Sequence, residues 1–376
     1  MPMTQPDFNA LELAAQSNDP DSVFESLIRM LRERKQLTEL FEARLMQNRH
    51  KLGMPLIQTE PLGELPEPTR RAYEDAYVAA AKEVGQLYLD DGDIVRAWPY
   101  FRAIGETGPV AAAIESIQPG EGIEPIIEIA FHERVNPRKG FELILANYGT
   151  CTAISNFEQY PSREGREECI QLLVRKLHGD LVESLKYAVA QREGATPEQT
   201  DVPTLIAGRD WLFEDNNYFV DTSHLCAVIR FSIDLQDQPT QALALELTDY
   251  GRRLSPLFHY RGQAPFEDPY SDYAEYLRAL LGLNSEESIA HFRKKLSDDP
   301  ETGTAPAQVL VGLLARIGRF QEAIDIALAH LSDLAPSQLS CPSIPQLCAL
   351  AGDATKLRTI SEHRGDLLNF AASLLA

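Results

Sequence analysis

The chain has little cysteine, tryptophan or methionine: five, two and five in 376 residues. Its 35 lysines and arginines are outnumbered by 56 aspartates and glutamates. It also lacks any run near the roughly 20 apolar residues that a membrane-spanning helix needs. Met1 to Asn9 carries Asp7 and prolines where a secretory leader would be apolar, so an unexported, cytoplasmic protein is expected. Cys151, Cys169, Cys226, Cys341 and Cys348 are odd in number and scattered, which speaks against a disulfide framework and for reduced core thiols. A formal net charge of −21 repels nucleic acid and anionic membrane, so neither is expected as a partner. The same charge suits a basic protein or peptide, or serves as a solubility coat.

Catalytic signatures are missing too. There is no glycine loop ending in Gly-Lys-Ser/Thr, no Gly-x-Ser-x-Gly elbow and no Cys-x-x-Cys pair, each of which would announce a defined chemistry. Gly120-Glu121-Gly122 lacks the preceding strand that a dinucleotide site requires. Tyr148-Gly149-Thr150-Cys151 has nothing in sequence to activate its thiol. No cofactor is expected.

What is present is helical packing. Val84-Gly85, Tyr88, Gly92-Asp93, Ala97, Phe101, Ile104 and Pro109 fall at spacings where small Gly85 and Ala97 let two helices approach. Tyr88 and Phe101 fill the space beyond, Gly92 turns the chain and Pro109 ends the second helix. The pattern resembles the tetratricopeptide repeat family, although Ala81 stands where that family most often has tryptophan. The resemblance implies an all-α fold, an irregular right-handed solenoid of antiparallel helix pairs, with a concave face that receives a peptide or helix. The family's Lys/Asn/Arg clamp for C-terminal carboxylates is not matched, so it is not carried over.

Weaker copies follow: Gly179, Ser184, Ala188 and Pro197; Asp237, Ala242 and Glu246; Tyr276, Ala279, Ser288, Phe292, Lys295 and Pro300; Val311, Leu314, Gly318, Ala323, Ala327 and Pro336. The small second-helix residues Ala97, Ser184, Ala242, Ser288 and Ala323 lie 87, 58, 46 and 35 positions apart. Only the last interval approaches the family period of about 34, so insertions are expected. Asn136-Pro137, Asp237-Gln238-Pro239 and Asp268-Pro269 read as helix starts, and Gly149 and Gly251 as stops. Tyr218 to Val220 is β-prone but too short for a sheet. The expected organisation is an N-terminal helical cap over 1–52, a proline-rich linker over 53–68 punctuated by Gly53, Pro55, Pro61, Gly63, Pro66 and Pro68, the repeat region over 69–336, and a C-terminal helical segment over 337–376.

Three polar segments are candidate sites. Glu128 and His132 lie one helical turn apart with Glu133 adjacent, giving two potential metal ligands on one face. A second histidine is missing at Asn136, and a structural role for His132 near the helix end is the competing reading. Asp221 or Thr222 caps a helix near Ser223, which favours a neutral His224 in the first turn, able to act as ligand, base or packing residue. The long loop His259-Tyr260-Arg261-Gly262 followed by Pro265-Phe266-Glu267-Asp268-Pro269-Tyr270 concentrates functional groups, with capping by Asp268, stapling by Phe266 and ion pairing by Arg261 as the alternative. Two functions therefore stand side by side. One is a non-catalytic protein–protein interaction scaffold. The other is a metal-dependent or acid/base enzyme whose pocket draws on His132, Glu133, His224, Arg261, Glu267 and Asp268, with Glu128, His132, Asp221 and His224 as the metal candidates.

Overall fold

A computed structural model describes residues 5–17, 19–57, 65–296 and 303–375. Every regular element among them is helical, with no strand. Pro61, Gly63 and Pro300 of the expected punctuation lie outside the described residues. The chain divides into two compact units, 1–149 and 150–376.

The first unit contains α1 (Gln5–Ala15), α2 (Pro20–Glu33), α3 (Leu37–Lys51), α4 (Glu67–Asp90), α5 (Ile94–Ala103), α6 (Gly108–Glu115), the short α7 (Glu124–Ile127) running into a π-turn (Glu128–His132), and most of α8 (Pro137–Glu158). In α8, Gly149 (φ 76°, ψ 178°) breaks the helical run, as its reading as a stop anticipated. The α4/α5 pair is built as the spacing predicted. Ala81, Val84 and Ala97 are fully buried, Gly92 turns at φ 78°, and Asp93 accepts the Arg96 N–H at 3.0 Å. A Cβ on Gly85 would stand 2.7 Å from the Phe101 ring, so the aromatic side chain lies directly on the glycine. The core that begins here continues through Phe24, Ile28, Leu31, Leu37 and Leu40 of α2 and α3. The N-terminal helices therefore share one hydrophobic core with this pair.

The second unit contains α9 (Arg166–Glu193), the short α10 (Val202–Ile206), α11 (Thr222–Phe231), α12 (Gln238–Gly251), α13 (Pro269–Leu280), α14 (Ser285–Arg293), α15 (Ala305–Arg316), α16 (Phe320–His330), α17 (Ile344–Leu350), α18 (Ala354–Arg364) and α19 (Leu367–Leu375). Consecutive helices pack together from α11 to α19. The packing residues expected in α13/α14 and α15/α16 are enclosed: Ala279, Ser288, Phe292, Val311, Leu314, Ala323 and Ala327 are buried and Gly318 turns at φ 78°.

Three expectations are corrected. Gly179 makes no turn. It sits inside α9, where Leu173, Leu177, Leu181 and Leu185 hold one continuous buried stripe, and that burial outweighs the roughly 1 kcal/mol that an interior glycine costs. Ala242 is exposed, and Ala244 takes the buried position beside it. Glu246, in the aromatic position of that copy, accepts from His178 and from the Val202 N–H, both at 2.8 Å. Finally, Pro109 and Pro336 do not end the helices before them. Those helices stop at Ala103 and His330, and the prolines instead open α6 and a 3₁₀ turn, Pro336–Gln338, because a missing N–H is harmless in a first turn.

Candidate functional site

In the first unit, Glu128 and the exposed His132 bound the π-turn. Glu133, just beyond it, pairs with Arg102 of α5 at 2.9 Å. In the second unit, Asp221 caps α11 and accepts the N–H groups of Ser223 (2.9 Å) and His224 (3.1 Å). The Ser223 hydroxyl, first among several donors, holds the Asp221 carboxyl below its ordinary range. Asp268 caps α13 by accepting from Ser271 N–H at 3.3 Å and Ser271 Oγ at 2.7 Å. Arg261 bears electrostatically on Glu267, which pairs with Lys295 at 2.6 Å. These are local engagements. Among the described residues no group of three or more His, Cys, Asp and Glu is placed to hold a metal ion.

The loop before α13 is fastened by a group that sequence reading did not single out. Asp272 is 2% exposed. It accepts from His291 Nε2 at 2.7 Å, from Lys295 Nζ at 2.8 Å and from the Asp268 N–H at 2.9 Å. Burial pulls the Lys295 ammonium down, yet its bonds to Asp272 and Glu267 outweigh this and leave it raised. Burial likewise pushes Glu267 up, and Lys295 together with a backbone hydrogen bond and the Arg261 charge more than reverses it. Phe266 lies flat on Tyr273 at 4.1 Å, so this loop is held by apolar stacking on one side and by a buried carboxylate on the other. Its sequence signal was faint: Asp272 sits one turn beyond the cap, and His291 and Lys295 lie 19 and 23 positions away, at and just past the far end of the next helix, α14.

One concavity of the second unit is formed by α13, α15 and α17 together with the 3₁₀ turn Ser232–Asp234 and the segment 336–343. One hollow of about 520 Å³ is walled by Ile233, Tyr276, Val309, Gly312, Arg316 and Cys341. A second, of about 800 Å³, shares Ser340, Cys341, Pro342 and Leu350 with it and extends to Arg163 and Gln346. Three local features shape it. Arg316 donates to the carbonyls of Ile233 and Leu235 and to the Tyr276 hydroxyl, so its charge is held against the wall. Gln308 Oε1 accepts from Ser340 N (2.7 Å) and Oγ (2.8 Å), pinning the 336–343 segment to α15. Gly312 leaves space, since a Cβ there would find its nearest neighbour, Cys341 Cβ, at 3.9 Å. Burial pushes the Cys341 thiol up to about 11, which keeps it protonated and poorly nucleophilic at neutral pH. The groove thus mixes apolar and small side chains with amides, hydroxyls and the charged Asp234, Arg316 and Arg163. No protein-family model, curated protein or solved structure matches this chain.

Proposed function

We propose that the chain is a non-catalytic interaction scaffold, an irregular solenoid of antiparallel helix pairs of tetratricopeptide type, and that the groove along α13, α15 and α17 receives a peptide or helix from a protein partner. The observation that carries this reading is the composition of the groove. Its walls draw on α13, α15 and α17 with the segments 232–236 and 336–343, it has room for several side chains, and the Arg316 guanidinium is already engaged by the Ile233 and Leu235 carbonyls. Hollows that combine apolar walls with fixed polar groups are what ligand recognition uses. A basic partner is favoured because a chain of net charge −21 draws cations toward it from solution. The acid/base reading has no comparable support, since Asp221 and Asp268 bind helix N-termini and Glu267 holds Lys295.

The test begins with peptides selected from a random library on the intact chain, followed by fluorescence anisotropy with the selected peptides. Gly312→Trp places an indole in the hollow. It is expected to weaken binding at least tenfold while the unfolding midpoint moves by only a few °C, because the site is roomy. A library that yields no binder, or binders indifferent to Gly312→Trp, overturns the reading.

A further inference from the structure

Helix α19 is turned inside out. Its inward side carries Asn369, Phe370 and Ser373, the last only 2% exposed. Its outward side carries Leu367, Leu368 and Leu375 at 82%, 80% and 90% exposure, together with Ala371 and Leu374. At 100° per residue these five positions span roughly 120° of the helix circumference, one continuous apolar stripe. The helix is firmly set beneath it. Asp366 accepts the Asn369 N–H at 3.0 Å and Arg358 of α18 donates to the Ser373 carbonyl at 3.3 Å, so the leucines cannot turn inward without undoing the α18/α19 contact.

We propose that this stripe is a self-association surface, covered by α19 of a second copy of the chain in a two-fold contact. Charge selects this occupant. Two chains of −21 repel wherever their acidic surfaces meet, but 367–375 contains no charged residue, so α19 against α19 lets the copies touch without bringing like charges into the contact. A basic partner gains nothing from an uncharged stripe. A membrane-surface helix needs lysines or arginines on its polar side, and α19 has Asn369 and Ser373 there. The area suits a weak, concentration-dependent dimer. The exposed leucines offer roughly 500 Å² of apolar surface per copy, or roughly 1,000 Å² across the pair, at the lower edge of specific interfaces.

Sedimentation equilibrium of the intact chain tests this between 1 and 100 µM. The expected result is a monomer–dimer equilibrium that tightens several-fold between 50 and 500 mM NaCl, as screening removes repulsion between the two chains. Leu368→Glu/Leu375→Glu should leave only monomer with an unchanged circular dichroism spectrum, since both side chains are solvent-facing. The control Leu283→Glu, at another exposed leucine, should dimerise like the parent. A parent chain that stays monomeric at 100 µM, or a dimer that survives the double substitution, overturns the proposal. So does equal loss of the dimer in Leu283→Glu, or co-sedimentation of the parent with phosphatidylcholine/phosphatidylglycerol vesicles that the double substitution abolishes.

Discussion

Gly85 and Gly251 do the same work in different units. A Cβ on Gly85 would sit 2.7 Å from Phe101, and one on Gly251 only 2.3 Å from Tyr270, so each glycine lets the following aromatic lie on the helix backbone. Alanine at either position would gain up to about 1 kcal/mol of helix propensity. Overpacking against a buried ring costs roughly 1–3 kcal/mol, and the clash wins because Phe101 and Tyr270 are themselves enclosed. Gly85→Ala and Gly251→Ala are therefore expected to lower stability in urea unfolding, the second by more. Phe101→Leu should make the Gly85→Ala change milder. A neutral or stabilising Gly85→Ala would mean that the two helices are not in close contact there. The first of these glycines was legible, because Gly85, Ala97 and Phe101 occur at a recognisable spacing. Gly251 was read only as a helix stop, since a glycine at a helix end looks the same whether the turn or a distant ring requires it.

At the scale of elements, the acidic composition is partly explained by helix starts. Asp93, Asp201, Asp221, Asp237, Asp268 and Asp353 all accept backbone N–H groups at helix N-termini, where a carboxylate satisfies unpaired donors and the helix dipole favours it. The Asp-Pro and Asp-x-Pro signals at 268 and 237 were readable for this reason. The groove was not, because Ile233, Tyr276, Arg316 and Cys341 are tens of positions apart and belong to no local pattern.

Between elements, Glu83 of α4 joins Arg32 of α2 and Arg44 of α3, the latter at 2.8 and 3.1 Å. Burial pushes the Glu83 carboxyl up, but the two arginines prevail and hold it below its ordinary value of 4.5. A carboxyl lowered on folding contributes stability that is present above its unfolded value and lost as pH falls through the folded one. Glu83→Gln should thus cost roughly 1–2 kcal/mol at pH 7, typical of a lost charge-assisted hydrogen bond. The difference from the parent should shrink as pH drops below about 4.5. A difference that stays constant down to pH 3 would remove the ionic account of how α2 and α3 are held to α4.

For the whole molecule the balance lies between many weak attractions and one collective repulsion. Most of the ion pairs have at least one partner open to solvent, and such pairs are worth roughly 0–1 kcal/mol each. Against them stands an excess of 21 negative charges, acting over a screening length of about 10 Å at 0.1 M salt. The repulsion is therefore the larger salt-sensitive quantity, and raising NaCl from 20 to 500 mM is expected to raise the unfolding midpoint by a few °C. The same titration should slow the association of a basic peptide with the groove several-fold, since the long-range field that gathers the cation is what salt removes. The two responses have opposite signs, so a general effect of salt on the protein cannot imitate both. If the midpoint rises while peptide binding stays constant, the acidic surface serves solubility and the proposed preference for a basic partner falls.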